Sequence, residues 1–314
     1  MNILVTGGAG FIGRWAVKKL LDDGHNVVAF DDLSNGRLFN IEEFEGRQGF
    51  SFIKGDIKDQ TAIKRLFANG FDLVYHLAAS INVQDSIDDP RSTFNNDVLG
   101  TFNVLEECRQ KNIKMVFMST CMVYDRSTEA EGISETHPVK PASPYAASKL
   151  SGENLTLSYY YAYGLPTVVV RPFNTYGPFQ KASGEGGVVA IFIQRDLQGE
   201  SLNIYGDGAQ TRDLLYVEDC ADFVIRAGMD NRTDGQLLNA GLGWDVSINE
   251  LAALICQDEQ RIIHVPHIHP QSEIQKLLCN YNKADKLLGW KPLVSLAEGL
   301  KRTREWIAGY GIGC

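Results

Sequence analysis

The 314-residue sequence lacks the long apolar runs of membrane proteins. Its apolar stretches, such as residues 167–170, span only a few residues, whereas a transmembrane helix needs about 20. The first residues have neither the basic flank nor the apolar segment of a signal peptide. We therefore expect a cytoplasmic protein with no membrane partner.

Positive charge and clustered cysteine are also scarce. Lysine and arginine total 30 against 39 acidic residues, which gives a net charge of −9. An acidic surface of this kind argues against nucleic acid as a partner. The six cysteines show neither a Cys-x-x-Cys pair nor a His/Cys metal spacing, so we expect free thiols and no metal site.

The order of apolar segments predicts the fold. In the first half, short β-branched runs alternate with longer amphipathic stretches, which predicts a parallel sheet covered by helices on both faces. After about residue 171, glycine-rich turns become frequent and a smaller mixed α/β lobe is expected. The predicted division is a nucleotide-binding domain over residues 1–172 and a substrate lobe over residues 173–314.

A glycine motif opens the first predicted helix. Gly8, Gly10 and Gly13 fit G-x-G-x-x-G between a strand and a helix, the context in which glycines let the backbone approach a pyrophosphate. Asp31 follows 18 residues after Gly13, and a carboxylate at this spacing binds the ribose hydroxyls and repels a 2′-phosphate. NAD is therefore favoured over NADP. The predicted cofactor contacts are Gly7, Gly10, Phe11, Ile12, Gly13, Asp31, Asn35, Asp56, Ile57, Leu77, Ala78, Ala79, Tyr145, Lys149 and Pro172.

A tyrosine and a lysine four residues apart provide candidate acid–base chemistry. Tyr145 and Lys149 lie on one face of a predicted helix. A neighbouring ammonium stabilises a phenolate, so Tyr145 is expected to act as a base near neutral pH. Thr120 follows a predicted strand, and its hydroxyl is expected to hold the substrate oxygen that Tyr145 deprotonates.

These motifs resemble the extended short-chain dehydrogenases/reductases that act on nucleotide sugars. The resemblance covers essentially the whole chain, with matching runs at 6–13, 119–124, 144–149, 171–178, 205–208 and 288–292. It implies a Rossmann-type doubly wound sheet, bound NAD, a nucleotide-sugar substrate (UDP-sugar favoured) and a homodimer. Thr120, Tyr145 and Lys149 match the catalytic group. The resemblance and the residue chemistry together predict substrate contacts at Thr120, Asn174, Val188, Tyr205, Arg212 and His269.

The sequence departs from the family pattern beside the catalytic threonine. Familiar 4,6-dehydratases carry an Asp–Glu pair there, and 4-epimerases carry small or neutral residues, whereas this chain has Cys121 and Met122. Asp97 replaces an asparagine that many members have, and His269 replaces the arginine of some dehydratases. A thiol is protonated at neutral pH, so Cys121 is a candidate catalytic acid; packing against the sugar is the alternative.

The expected chemistry passes through a transient 4-keto sugar. The leading hypothesis is an NAD-dependent dehydratase of the 4,6 or 5,6 type, with UDP-N-acetylglucosamine expected on resemblance alone. The alternative is a 4-epimerase acting on UDP-glucose or UDP-N-acetylglucosamine, which needs only oxidation, rotation and re-reduction at C4. A more distant alternative is a non-catalytic NAD-binding regulatory protein, whose marker would be loss of Tyr145 or Lys149; both are present.

Overall fold

The computed structural model describes residues 1–127, 130–182, 187–267 and 274–310. The strands in these ranges are β1 (Asn2–Thr6), β2 (Asn26–Asp31), β3 (Phe50–Lys54), β4 (Leu73–His76), β5 (Lys114–Met118), β6 (Thr167–Pro172), β7 (Asn174–Tyr176), β8 (Leu202–Tyr205), β9 (Thr211–Tyr216), β10 (Gln236–Ala240), β11 (Asp245–Ser247), β12 (Ile262–Val265) and β13 (Lys276–Leu277). The α-helices are α1 (Phe11–Asp22), α2 (Gln60–Leu66), α3 (Val83–Asp88), α4 (Pro90–Phe94), α5 (Gly100–Lys111), α6 (Pro144–Tyr163), α7 (Val188–Leu197), α8 (Val217–Met229), α9 (Ile248–Ile255), α10 (Asn282–Leu288) and α11 (Leu296–Tyr310).

Seven strands form one parallel sheet in the order β10-β6-β5-β4-β1-β2-β3. Both faces are buried: Ile3 and Val5 of β1 belong to one apolar cluster, while Leu4 between them belongs to another on the opposite face. Strands buried on both sides are apolar throughout rather than alternating. This arrangement confirms the predicted doubly wound α/β sheet.

The later part of the chain forms a smaller lobe of mixed structure. Strands β7, β9, β11 and β13 make a four-stranded sheet, and β8 pairs with β12. Helices α7, α9 and α11 contribute to a separate apolar cluster here. The domain boundary at residue 172 stays a prediction. Beyond residue 172 the chain returns to the main sheet. Strand β10 pairs with β6, and α8 packs against α1.

Parallel strand pairing brings the carboxyl ends of β1, β2, β4, β5 and β6 to one edge of the main sheet. Ligands bind outside this edge in open α/β sheets, because the loops that follow each strand converge there. The glycine motif, Thr120 and the Tyr145–Lys149 pair lie in those loops or in the helices that follow them. Of the helices described, none has both the length and the apolar character needed to cross a membrane.

Candidate active site

A cleft of about 390 Å³ lies at this edge, between the main sheet and the smaller lobe. Most of the residues predicted from sequence line it. They are Gly7, Gly10, Phe11, Ile12, Gly13, Asp31, Asn35, Ile57, Leu77, Ala78, Ala79, Thr120, Cys121, Tyr145, Lys149, Pro172, Asn174 and Val188.

The glycine turn forms a cradle at the start of α1. Gly7 has a φ of 70°, which favours glycine, and a Cβ there would lie 2.7 Å from the backbone nitrogen of Ala78. A Cβ at Gly13 would collide with the carbonyl oxygen of Gly7. The N-cap Gly10 has no side chain to cap the helix, so the first N–H groups of α1 are suited to a phosphate. The cradle fits the pyrophosphate of NAD.

Asp31 is fixed at the wall of the cleft by the backbone. One carboxylate oxygen accepts from the amide of Ala9 at 3.1 Å, and the other accepts from the amide of Leu33 at 2.9 Å. Burial raises the pKa of Asp31, and these two hydrogen bonds oppose that rise. A carboxylate held in this way retains lone pairs for the two ribose hydroxyls, as the spacing from Gly13 predicts.

Tyr145 and Lys149 lie on the first turns of α6 and point into the cleft together. Ser143 caps this helix by accepting from the amide of Ala146 at 3.2 Å, and Pro144 suits its first position. The side chain of Thr120 is close enough to the phenol of Tyr145 to lower its pKa. The three predicted catalytic side chains therefore converge.

The electrostatics differ from the sequence expectation for the tyrosine. Burial raises the pKa of Tyr145, and the negative charge of Asp97 raises it further. The phenol of the protein alone thus keeps its proton at neutral pH, because burial and Asp97 outweigh the opposing interaction with Thr120. Burial lowers the pKa of Lys149, while Asp97 and Glu153 oppose that change.

Asp97 lies close to this pair in a π-helical segment, Asn95–Leu99. One carboxylate oxygen accepts from the amide of Ser80 at 2.7 Å. The other is buried and has no hydrogen-bond partner within the described ranges. Burial raises the pKa of Asp97, and the charge of Lys149 is the largest opposing influence. The replacement of asparagine therefore places a carboxylate near the catalytic lysine.

Sequence reasoning missed a buried network beneath the catalytic residues. Glu153 lies one turn after Lys149 on α6 and accepts from the hydroxyl of Ser119. It also accepts from Nε of Arg171 at 2.7 Å, and the guanidinium of Arg171 lies 4.5 Å from the ring of Tyr124. The one sequence signal for this network was that Glu153 lies four residues after Lys149. A glutamate at that spacing is equally typical of an exposed helix face, so the signal did not indicate burial.

Cys121 lies in the wall of the cleft next to Thr120. Burial raises the pKa of its thiol to about 12, with Arg212 lowering it and Asp213 raising it. The thiol therefore stays protonated at neutral pH. The described cleft-lining carboxylates are Asp31 and Asp32, at the ribose end, and none of them lies beside Cys121. All five described cysteines are free.

Three predicted substrate residues lie in or near the inner part of the cleft. Asn174 and Val188 line it, and Oδ1 of Asn174 is buried with no hydrogen-bond partner in the part of the chain described. Arg212 is half-buried behind the wall and near Cys121. Its Nη1 donates to the carbonyl oxygens of Thr211 at 2.7 Å and Ile274 at 2.9 Å. These contacts hold the guanidinium in one position.

Three other predicted residues do not line the cleft or lie outside the described ranges. Tyr205 is 43% exposed at the end of β8. Asp56 turns toward its own loop, where it accepts from the amide of Lys58 at 2.8 Å. His269 lies outside the described residues. Among the residues that the structure describes, no group of three or more His, Cys, Asp or Glu side chains could hold a metal ion.

A dinucleotide cradle and a convergent Thr–Tyr–Lys group in one cleft define an enzyme of the short-chain dehydrogenase/reductase class. The chain belongs to the NAD dependent epimerase/dehydratase family, whose model matches residues 3–241. Its cofactor is NAD, and its class of reaction is the conversion of nucleotide sugars.

Individual relatives span this chain almost completely. A solved structure of Pal from Bacillus thuringiensis is 63% identical, covers 99% of this chain and 100% of its own, and superposes with a TM-score of 0.97. UDP-glucose 4-epimerase from Mycolicibacterium smegmatis is 39% identical over 98% of both chains. dTDP-glucose 4,6-dehydratase from Shigella flexneri is 31% identical over 98% of this chain and 92% of its own.

Proposed function

We propose that this protein is an NAD-dependent dehydratase that acts on a UDP-sugar through a transient 4-ketone. The observation that carries the proposal is the protonated thiol of Cys121, next to the group that oxidises C4. A 4-epimerase has no need of a proton donor at this position. Dehydration does, because C5 loses a proton and the hydroxyl on C6 must be protonated to leave as water.

Oxidation at C4 is assigned to the convergent group. Thr120 holds the 4-hydroxyl, and Tyr145, as the phenolate, accepts the proton of that hydroxyl and becomes the neutral phenol. Lys149 supplies positive charge beside the phenol. The glycine cradle and Asp31 would hold NAD, which would accept the hydride from C4. The 4-ketone then acidifies the hydrogen on C5.

Cys121 is assigned the protonation of the departing C6 hydroxyl, which leaves as water, while the proton on C5 passes to a base other than Cys121 and Met122. The raised pKa of the thiol, about 12, suits this donation far better than proton removal at neutral pH. Met122, the next residue in the cleft wall, has no ionisable group. The thiol is thus the donor in this half of the reaction.

UDP-N-acetylglucosamine is the substrate we propose. The relative at 39% identity has a UDP-sugar, UDP-glucose, in its name. The unpartnered, buried Oδ1 of Asn174 offers an acceptor for a sugar hydroxyl or amide N–H. Arg212 is the candidate diphosphate contact, because a guanidinium binds phosphate through two parallel hydrogen bonds.

A second candidate is a UDP-sugar 4-epimerase. The described cleft residues beside Cys121 include no carboxylate that would remove a proton from C5. Epimerisation requires only Thr120, Tyr145, Lys149 and NAD, and the relative at 39% identity bears that activity in its name. In this case Cys121 and Met122 pack against the sugar. A non-catalytic regulatory role is disfavoured, because the catalytic side chains converge.

Turnover of UDP-N-acetylglucosamine in deuterated water, followed by mass spectrometry and proton NMR, separates these candidates. A product lighter by one water supports the dehydratase, whether it shows a 5,6-alkene or a C6 methyl group with deuterium at C5. An unchanged mass with inverted C4 configuration supports the epimerase. No turnover of any UDP-sugar would contradict both assignments, and GDP-, dTDP- and CDP-sugars would then be tried.

The role of Cys121 is tested with Cys121→Ala against Cys108→Ala, another buried thiol that lies outside the cleft. Loss of a catalytic proton donor typically lowers turnover by about 10²–10⁴-fold. We expect that loss for Cys121→Ala only, while NADH formed during C4 oxidation still appears on mixing. Equal turnover of the two variants would assign the thiol to packing.

We also propose that the protein is a cytoplasmic homodimer. Phe94, Leu99 and Phe102 are each more than two-fifths exposed around the π-helical segment and α5, and Tyr161 is exposed on α6. Paired helices across a two-fold axis would cover these apolar side chains. Sedimentation velocity tests the oligomer, and cell fractionation tests the location.

A further inference from the structure

Residues 178–181, which we call the clasp segment, follow β7 and cross from the smaller lobe to the main sheet. The carbonyl oxygen of Pro178 accepts from Nε1 of Trp15 on α1 at 3.2 Å. The guanidinium of Arg14 lies 3.8 Å from the ring centroid of Phe179. Two successive residues of the clasp segment therefore contact the helix that carries the glycine cradle.

Phe179 has a φ of 72°, an unfavourable conformation for a residue with a side chain. Contacts on two sides hold it there: besides Arg14, its ring lies 4.8 Å from the ring of Trp306 on α11. Strained backbone persists where surrounding structure over-determines it, and such positions cluster at ligand sites. The clasp segment, whose last three residues line the cleft, is thus held between α1 and α11.

Lys181 ends the clasp segment at the ribose end of the cleft. Its Nζ donates to Oδ1 of Asn35 at 2.6 Å. Lys181, Asn35, Arg37 and Asp31 line the same wall. Burial and the neighbouring Arg37 lower the pKa of Lys181, and Asp31 opposes that change. The ammonium of the smaller lobe therefore faces the carboxylate predicted to bind the adenosine ribose.

We propose that Lys181 is a cofactor-retaining residue, which closes the ribose end of the cleft over bound NAD through its contact with Asn35. The inference rests on NAD as the family cofactor and does not depend on which sugar reaction follows. A cofactor that is reoxidised within each turnover never has to leave, so slow release does not limit the rate. The cofactor contacts predicted from the sequence all lie within residues 1–172, whereas Lys181 belongs to the smaller lobe.

The test is the release rate of NAD from the loaded full-length protein. Protein is saturated with NAD, passed through a rapid desalting column and sampled over time for retained nucleotide. We expect Lys181→Ala to release NAD at least tenfold faster than the unsubstituted protein. Lys181→Gln, which keeps length and polarity, should be intermediate. Lys301→Ala, an exposed lysine on α11, is the control and should leave release unchanged.

A double substitution links the two partners. If Lys181 and Asn35 retain NAD through their mutual contact, losing either side chain removes the whole effect. The double variant Asn35→Ala/Lys181→Ala should then release NAD no faster than whichever single variant releases it faster. Unchanged NAD release in both Lys181 variants would overturn the proposal. Weaker binding of NADP with unchanged NAD release would assign Lys181 to a 2′-phosphate, and weaker binding of UDP alone would assign it to the nucleotide-sugar site; both results also overturn it.

Discussion

The buried ion pair between Glu153 and Arg171 should be a major determinant of stability at the active site. Glu153 is 1% exposed and Arg171 is 3% exposed, and the two form a bidentate contact. Glu153→Gln keeps the size of the side chain and removes its charge. The guanidinium then stays buried beside a neutral amide, without a compensating charge.

The magnitude follows from the desolvation of that charge. Removing one partner of a buried ion pair typically destabilises a protein by about 3–5 kcal/mol. With an unfolding entropy of about 2.1 cal/mol/K per residue, each kcal/mol corresponds to roughly 1.5 °C in Tm for a chain of 314 residues. We therefore expect Glu153→Gln to melt roughly 5–8 °C lower than the unsubstituted protein.

Glu106→Gln provides a matched control. Glu106 forms a partly exposed pair with Arg109, three residues away on α5, and such pairs contribute less than about 1 kcal/mol. Urea unfolding and thermal melts followed by circular dichroism compare the two variants directly. Similar losses of stability for Glu153→Gln and Glu106→Gln would refute the reasoning, since burial of the unpaired charge is what separates them.

Three further predictions concern pH, the cradle and catalysis. Burial lowers the pKa of His76 to about 3, so its contribution to stability is present above pH 6.5 and is lost as the pH falls toward 3. Relative to His76→Asn, unfolding free energy should fall by about 1.4 kcal/mol per pH unit between pH 6 and 4; parallel urea titrations of the two proteins would contradict this. Gly13→Ala should cost about 1–3 kcal/mol and weaken NAD binding at least tenfold in equilibrium dialysis, because the new Cβ meets the carbonyl oxygen of Gly7; unchanged affinity would show that the turn relaxes freely. Tyr145→Phe and Lys149→Met should each lower turnover by about 10²–10⁴-fold with Tm nearly unchanged, and substantial remaining turnover would exclude them from the chemistry.

Local patterns were enough for the cofactor half of the site. The strand–glycine–helix order around Gly10 and the i, i+4 pair Tyr145 and Lys149 depend on neighbours in sequence, so their geometry follows from short-range rules. Strand β10 is different: it joins the main sheet beside β6 although more than 60 residues separate them. No local pattern specifies that pairing, because it depends on how the two lobes pack.

Residue type and spacing were enough to predict the class of fold, the glycine cradle and the grouping of Thr120, Tyr145 and Lys149, since each depends on local sequence. The pairing of Glu153 with Arg171 and the contact of Lys181 with Asn35 could not be predicted in this way, because these partners meet through packing across separate elements. The tertiary structure also decided the protonation of Tyr145 and Cys121. Both pKa values rise through burial, and burial is a property of the packed molecule rather than of residue spacing.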